Sequence, residues 1–303
     1  MAAVTKSWFI TGASSGLGLE MALSALRAGH RVIGTGRDIQ RAAVNHPEFE
    51  TLGGQWLQLD LSQPSAKEVI EQTLAQEDAG LKPTEKRHWV IVNNAGSSLL
   101  GAVEDMSENQ ITAYLQFNIY GPIRVWKAAL PILRQHRQGT LITISSIFGF
   151  VSKSEHMMYS ACKAATESLT ESYADLLSPL GIRVLLVEPG GFRTKFAANA
   201  SQADLGITDD YAEKIEAWTC IVNSAAKDET IVSGDPEKFG ERMLQAVDGL
   251  GLFERLWANH EGGKALRVQL GSDSYELFGA RLGELSKVHA ETAVVAKSTD
   301  VHS

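Results

Sequence analysis

ITGASSGLG, residues 10–18, follows the apolar run SWFIT (7–11) and leads straight into a helical pattern beginning near Leu17. Gly12, Gly16 and Gly18 let the chain turn tightly at this junction, while Ser14 and Ser15 add hydroxyls and main-chain N–H groups. The first amides of a helix lack partners and its N-terminus is the positive end of its dipole, so a glycine turn there can receive a pyrophosphate. Plain strand-to-helix loops can look the same, and the weight therefore rests on the residues further along the chain.

Those residues alternate regularly. Strand candidates lie at 7–11, 31–35, 55–59, 89–93, 140–145 and 182–188, and helical spacing fills about 17–29, 65–77, 108–136 and 159–178. Continuous apolar strands separated by helices predict a parallel sheet covered on both faces, which is a doubly wound α/β fold. The polar stretch EDAGLKPTEKRH (77–88) predicts a loop. Beyond Pro189 the alternation breaks: 190–234 reads as irregular, 235–249 as helical, 265–270 as a last strand and 273–295 as a helical tail. No repeat or low-complexity linker divides the chain, so 1–303 is expected to form a single domain. Its expected parts are a cofactor-binding and catalytic core at 5–195, substrate loops and helices at about 190–260, and the last strand and C-terminal helix at 265–303.

Composition excludes several alternatives. The 303 residues are 44% apolar and 21% charged, an ordinary globular balance, and the charge count of 28 − 36 = −8 offers no basic field for nucleic acid. Two cysteines, Cys162 and Cys220, support no disulfide framework and fit a reducing compartment. No apolar stretch approaches the roughly 18–20 residues of a membrane span, MAAVTKSWFITG leaves no room for a secretory segment, and the C-terminal STDVHS is no targeting signal. The expected location is cytoplasmic. No cluster of His, Cys, Asp and Glu at ligand spacing occurs, and no metal is expected.

Later strand ends add to the glycine turn. About 20 residues past such a turn, an acid would hold the ribose 2′-OH and an arginine a 2′-phosphate. Here RVIGTGRD (31–38) offers Arg37 directly after Gly36, which favours NADP(H); if the strand runs two residues further, Asp38 becomes the ribose acid and NAD(H) returns. In LDLS (59–62), Asp60, with Leu61 beside it, could accept from the adenine amino group. In NNAG (93–96), Asn93 and Asn94 end a strand, and Ala95 and Gly96 let cofactor and backbone come close.

The remaining strand ends carry reactive groups. TLITISSIFGF (140–150) places Ser145 and Ser146 at the end of the fifth strand, and YSACKAA (159–165) puts Tyr159 and Lys163 on one side of the next helix. Hydride transfer to a carbonyl builds negative charge on oxygen, which a proton donor must quench. A free tyrosine, with a pKa of about 10, is a poor acid–base group near neutrality unless a nearby ammonium stabilises its phenolate.

Taken in order, TGASSGLG (11–18), NNAG (93–96), Asn118 in QFNIYG, Ser145-Ser146, YSACK (159–163) and PGGFRT (189–194) resemble the short-chain dehydrogenase/reductase family over roughly residues 5–195. The resemblance implies a Rossmann-like parallel sheet of about seven strands with a variable C-terminal substrate region. It implies that Tyr159 is the acid/base and that Lys163 lowers its pKa and binds the nicotinamide ribose. Ser146, selected over Ser145 by the family interval, would hydrogen-bond the substrate oxygen, and Asn118 would hold a relay water next to Lys163. The strand-ending Pro189 and Gly190, the Phe192 backbone and the Thr194 hydroxyl would meet the cofactor, the last two at its carboxamide. Cys162 is expected only to fill space, and His156 to be a surface histidine before the helix rather than a second acid. Trp218, Phe239 and Trp257 are candidates for the substrate wall or for core. The branch resembled includes hydroxysteroid and retinol dehydrogenases and microbial or fungal ketoreductases, implying a small carbonyl or alcohol substrate of lipid-like or secondary-metabolite type. Homodimers or homotetramers through the two long helices are also implied. Imine reduction or rearrangement on the same fold, and a cofactor-binding regulator without turnover, are the competing readings; loss of the tyrosine or lysine would favour the regulator, and both are present.

Overall fold

The computed structural model describes residues 5–82 and 86–301; residues 1–4, 302–303 and 83–85, the last within the expected loop 77–88, lie outside the described residues. The strands are β1 (Ser7–Ile10), β2 (Arg31–Gly36), β3 (Gln55–Gln58), β4 (Trp89–Asn93), β5 (Leu99–Leu100), β6 (Gly139–Ile144), β7 (Ile182–Pro189), β8 (Ser201–Gln202) and β9 (Leu266–Leu270). Seven of them form one parallel sheet in the order β3-β2-β1-β4-β6-β7-β9, and β5 pairs with β8 separately. The strand order reverses direction between β1 and β4, and that crevice is where open sheets of this kind bind ligands.

Alternation within each strand serves both faces of the sheet. Ile10, Val90, Val92, Ile142, Leu185 and Val187 pack with α1 (Gly16–Arg27) on one face. Their neighbours Phe9, Ile91, Leu141 and Val184 pack on the other against Ile70, Leu74, Trp126 and Leu133. The main helices after α1 are α2 (Ile39–Asn45), α3 (Pro47–Thr51), α4 (Ala66–Asp78), α5 (Glu108–Leu115), α6 (Gly121–His136), α7 (Ile147–Phe150), α8 (Met157–Leu177), α9 (Ala212–Lys227), α10 (Pro236–Asp248), α11 (Leu252–Ala258) and α12 (Ser272–Lys297). Helix α10 is framed by its own sequence: Asp235 accepts from the Glu237 and Lys238 amides at one end, and Gly249 takes φ +69° at the other.

Two expectations change, and one left open is decided. The helix expected over 108–136 is interrupted by a π-helical turn at Gln116–Tyr120. Residues 190–234, expected to be irregular, contain α9, whose only fully buried side chain is Ile215; an apolar stripe this thin gives little helical signal between turn-rich flanks. Of the two readings open for Phe239 and Trp257, wall or core, the structure shows core: both pack beside α1.

Ile91 lies in the middle of the sheet with no exposed surface. Ile91→Ala should cost about 2–5 kcal/mol, read as a lower urea midpoint with an unchanged slope.

Candidate active site

At the carboxyl end of β1, Gly12 and Gly16 adopt φ +66° and +57°, a backbone region that side chains rarely enter. The turn leaves Ser15 as the cap of α1 without any side-chain capping bond, and the first turn holds no acid. The leading amides and positive dipole of α1 are thus left for an outside anion. A Cβ at Gly18 would overlap the Asn94 amide and the Gly12 carbonyl, so glycine there permits the close packing of helix on strand end. Leu17 packs partly on the core and presents its main chain to the turn.

One hydroxyl joins this turn to the next strand. Thr11 Oγ1 accepts from the Asn94 and Ala95 amides at 2.9 and 3.1 Å and donates to the Val92 carbonyl at 3.0 Å. Asn94 Nδ2 in turn donates to the Thr11 and Gly12 carbonyls. Asn93 is buried in β4 with its Oδ1 unpaired. Thr11 stood inside the motif, but only the tertiary contact reveals its work.

On the other side of β1, β2 ends at Gly36, so Arg37 begins the loop and is exposed. Its guanidinium lies 5.9 Å from the Phe117 ring centroid. Asp38 is committed elsewhere: its carboxylate caps α2 by accepting from the Arg41 amide at 3.0 Å. Asp60 accepts from the Ser62 amide and hydroxyl; burial acts to raise its pKa, but these bonds and the nearby Arg37 charge outweigh that and hold it below the usual carboxylate range. Leu61 is buried beside it.

The reactive side chains converge beyond β6. Ser146 caps α7, its Oγ accepting from the Phe148 amide at 3.2 Å, and its hydroxyl lies near enough to the Tyr159 phenol to act on it. Ser145 instead donates to Glu167 at 2.5 Å, which leaves Ser146 as the serine facing the phenol. Lys163 Nζ donates to the Ile144 carbonyl at 2.8 Å and lies 5.7 Å from the Tyr159 ring centroid. Burial pushes the Tyr159 phenol up to about 12, with the Ser146 hydroxyl acting the other way. Burial likewise pulls the Lys163 ammonium down to about 8, partly countered by Glu167.

Asn118 sits in the π-turn, buried. Its Oδ1 accepts from the Ser97 amide, and its Nδ2 donates to the Tyr114 carbonyl and the Ser97 hydroxyl. A Cβ on Gly96 would come 3.5 Å from Lys163 Nζ and 3.7 Å from Asn118 Oδ1, so these two groups flank the bare glycine. Inserted π-turns often mark functional positions.

The last strand end closes the crevice. Pro189 finishes β7, and the Gly190 and Gly191 amides donate to the Leu270 carbonyl and to Asp273 Oδ2. Phe192 turns its ring onto Phe239, 5.1 Å between centroids, so its side chain is spent on the core. A Cβ on Gly16 would lie 3.3 Å from Thr194 Cβ, which brings PGGFRT against the glycine turn.

His156 is not a surface residue. It is 5% exposed, its ring centroid 5.6 Å from that of Tyr159, and burial pulls it down to about 4, so it is neutral near pH 7. Indole N–H only donates, so His156 Nδ1 accepts from Trp218 at 3.2 Å, leaving the proton on Nε2 to donate to Ser98 Oγ at 3.0 Å. This bond ties α9 to the start of α8. Trp218 and Phe196, the latter 5.9 Å from the Tyr159 ring, therefore wall the site, and the sequence signals only the first. A cavity of about 610 Å³ lies alongside, between α9 and the segment before Tyr159, lined by Val103, Glu155, Met157, Tyr211, Lys214 and Ile215. Cys162 packs among Leu99, Met106, Tyr114 and Met158, with burial pushing its thiol up to about 11, as a space-filling residue would.

A family profile described as short chain dehydrogenase matches residues 6–205. This chain belongs to the short-chain dehydrogenase family of oxidoreductases. It is 40% identical over 213 residues to "Oxidoreductase claN" of Passalora fulva, covering 68% of this chain and 94% of that protein. Among solved structures, a short-chain dehydrogenase from Streptomyces avermitilis superposes with a TM-score of 0.79 at 31% identity, covering 99% of this chain and 100% of that one. A short-chain dehydrogenase from Sphingobium yanoikuyae in complex with NADPH gives 0.64 at 25% identity, covering 93% and 95%. No helix among the described residues is long and apolar enough to cross a membrane.

Thr11→Val keeps the shape but leaves the Asn94 and Ala95 amides without their acceptor. It should cost roughly 1–3 kcal/mol in urea denaturation, and Thr11→Ser should recover most of that.

Proposed function

We propose that this chain interconverts a carbonyl and a secondary alcohol by hydride transfer with NADP(H). The observation that carries the reading is the convergence of Ser146, Tyr159 and Lys163 at the end of β6, with the serine hydroxyl near enough to act on the phenol and the ammonium 5.7 Å from its ring. The nicotinamide, when bound, supplies or accepts the hydride. Ser146 orients the substrate oxygen, and Tyr159 gives that oxygen its proton as charge builds on it. Lys163 stabilises the resulting phenolate and binds the ribose. Asn118, across Gly96 from Lys163, holds the water through which Tyr159 regains a proton.

The glycine turn (Gly12, Ser14, Ser15, Gly16, Leu17, Gly18) receives the pyrophosphate. Asp60 and Leu61 border the adenine, and Asn93, Asn94, Ala95 and Gly96 line the middle of the cleft. Pro189, Gly190, Phe192 and Thr194 hold the nicotinamide end. Preference for NADP(H) is supported by the strand ending at Gly36, which frees Arg37, and by the engagement of Asp38 in capping α2. The 25% identical NADPH-bound neighbour is consistent with it. The substrate enters beside α9, with Trp218 and Phe196 as apolar walls, which suits a hydrophobic ketone.

Three outcomes test this. Tyr159→Phe should lower NADPH-dependent reduction across a panel of ketones by about 10²–10⁴-fold; retained activity would remove the mechanism. Arg37→Ala should weaken NADPH binding by roughly tenfold or more and leave NADH nearly unchanged, measured by cofactor fluorescence titration. Reduction should also fall as pH rises through about 8, where Lys163 loses its proton while Tyr159, near 12, keeps its own. A rate flat through that range would contradict the role of the ammonium.

A further inference from the structure

Behind the reactive groups lies a buried acidic cluster that the roles above do not use. Glu167, one helical turn after Lys163 on α8, is 4% exposed, and Glu188 on β7 is fully buried. A buried carboxylate is costly unless paired and hydrogen-bonded, and Glu167 is both. Its Oε1 accepts from Ser145 Oγ at 2.5 Å, and its Oε2 meets Arg267 Nη1 of β9 at 3.2 Å. The same Nη1 reaches Glu188 Oε1 at 2.5 Å, while Nη2 meets the more exposed Glu171 at 3.0 Å. Gln269 donates to the other oxygen of Glu188 at 2.6 Å. The chain also makes room for Glu167, since a Cβ on Gly149 would overlap its Oε1.

We propose that Glu167 is a positioning residue of the active site: held by Arg267 of the last strand, its carboxylate keeps Lys163 in the ammonium form and clamps the Ser145–Ser146 strand end against α8. The inference rests on the reading of Ser146, Tyr159 and Lys163 as the reacting set.

The geometry places Glu167 and Lys163 one helical turn apart on α8, both bonded to the end of β6. Ser145 precedes Ser146, and the carbonyl of Ile144, the residue before that, accepts from Lys163 Nζ. Glu167 therefore grips the same strand end as Lys163 does, one turn along the same helix. The charged and titratable groups facing Glu167 are Arg267 from β9, Glu188 from β7, and Glu171, Lys163 and Tyr159 from α8. Burial, followed by the neighbouring Glu167, pushes Glu188 up to about 7. Burial pushes Glu167 above the usual carboxylate range as well, with the Ser145 hydroxyl, the Arg267 guanidinium and Lys163 acting the other way. The C-terminal strand thereby becomes part of what sets the charge at Lys163.

The test needs no substrate. In protein labelled with [ε-¹³C]lysine, the Lys163 resonance is assigned by its absence in Lys163→Arg and titrated from pH 6 to 10. Glu167→Gln, which keeps the size and the bond to Ser145 but not the charge, should move the Lys163 midpoint down by roughly one pH unit. Glu167→Asp keeps the charge and should leave the midpoint near its original value. An unchanged midpoint in Glu167→Gln, or equal shifts in both variants, would overturn the proposal, because a merely structural role makes no distinction between them. Should Glu167→Gln fail to fold, the reciprocal measurement replaces it: Lys163→Met in [δ-¹³C]glutamate-labelled protein should raise the Glu167 midpoint, and no rise overturns the proposal. Activity retained in Tyr159→Phe would defeat the reading of the reacting set instead, a separate result from either titration.

Discussion

The Thr11 hydroxyl sits where β1 and β4 part, and the cleft depends on it. Its bonds to the Asn94 and Ala95 amides and to the Val92 carbonyl hold the two strand ends at a fixed separation. With the strands so held, the glycine turn can lie close to NNAG; a Cβ on Gly12 would come 3.0 Å from Ala95 Cα. The order reversal in the sheet opens a crevice here, and this hydroxyl sets its width. A buried hydroxyl with three partners is also costly to replace, because each lost partner leaves an unpaired group out of reach of water.

The same logic recurs across the sheet at increasing distance. Ser146 and Lys163 are both referred to the end of β6, one by chain continuity and the other through the Ile144 carbonyl. Behind them the Arg267 cluster refers β6, β7 and α8 to the last strand. Polar groups are concentrated along this carboxyl edge, whereas the strand interiors are apolar on both faces. The apolar layers supply stability without direction. The bonded groups at the edge supply the direction that a reacting geometry needs.

The substrate side is built differently. Helix α9 has one fully buried residue and reaches the segment that leads into α8 through the His156–Trp218 bond and a contact of Lys153 Nζ with the Trp218 ring at 4.1 Å. Few apolar contacts and a small number of directed ones are the makings of an element of low local stability. An element of that kind can be replaced along a family without disturbing the sheet.

The sequence alone determined the parallel sheet, because alternating blocks of apolar strand and amphipathic helix have one economical packing. It also determined the order of the candidate site, from Gly12 to Thr194, since most of its motifs stand at the ends of strands and such ends share one edge. Other features needed the tertiary structure. That β2 stops at Gly36, with Asp38 capping the next helix, is a boundary that periodicity leaves uncertain by a residue or two. His156 reads locally as exposed and is buried only because α9, some sixty positions on, brings Trp218 to it. The π-turn at Asn118 leaves no mark in the residue pattern. Arg267 reaches Glu167 and Glu188 across gaps of 100 and 79 positions. Periodicity reports which face of an element is apolar, but a pairing between distant charges exists only once the sheet has set its strands side by side.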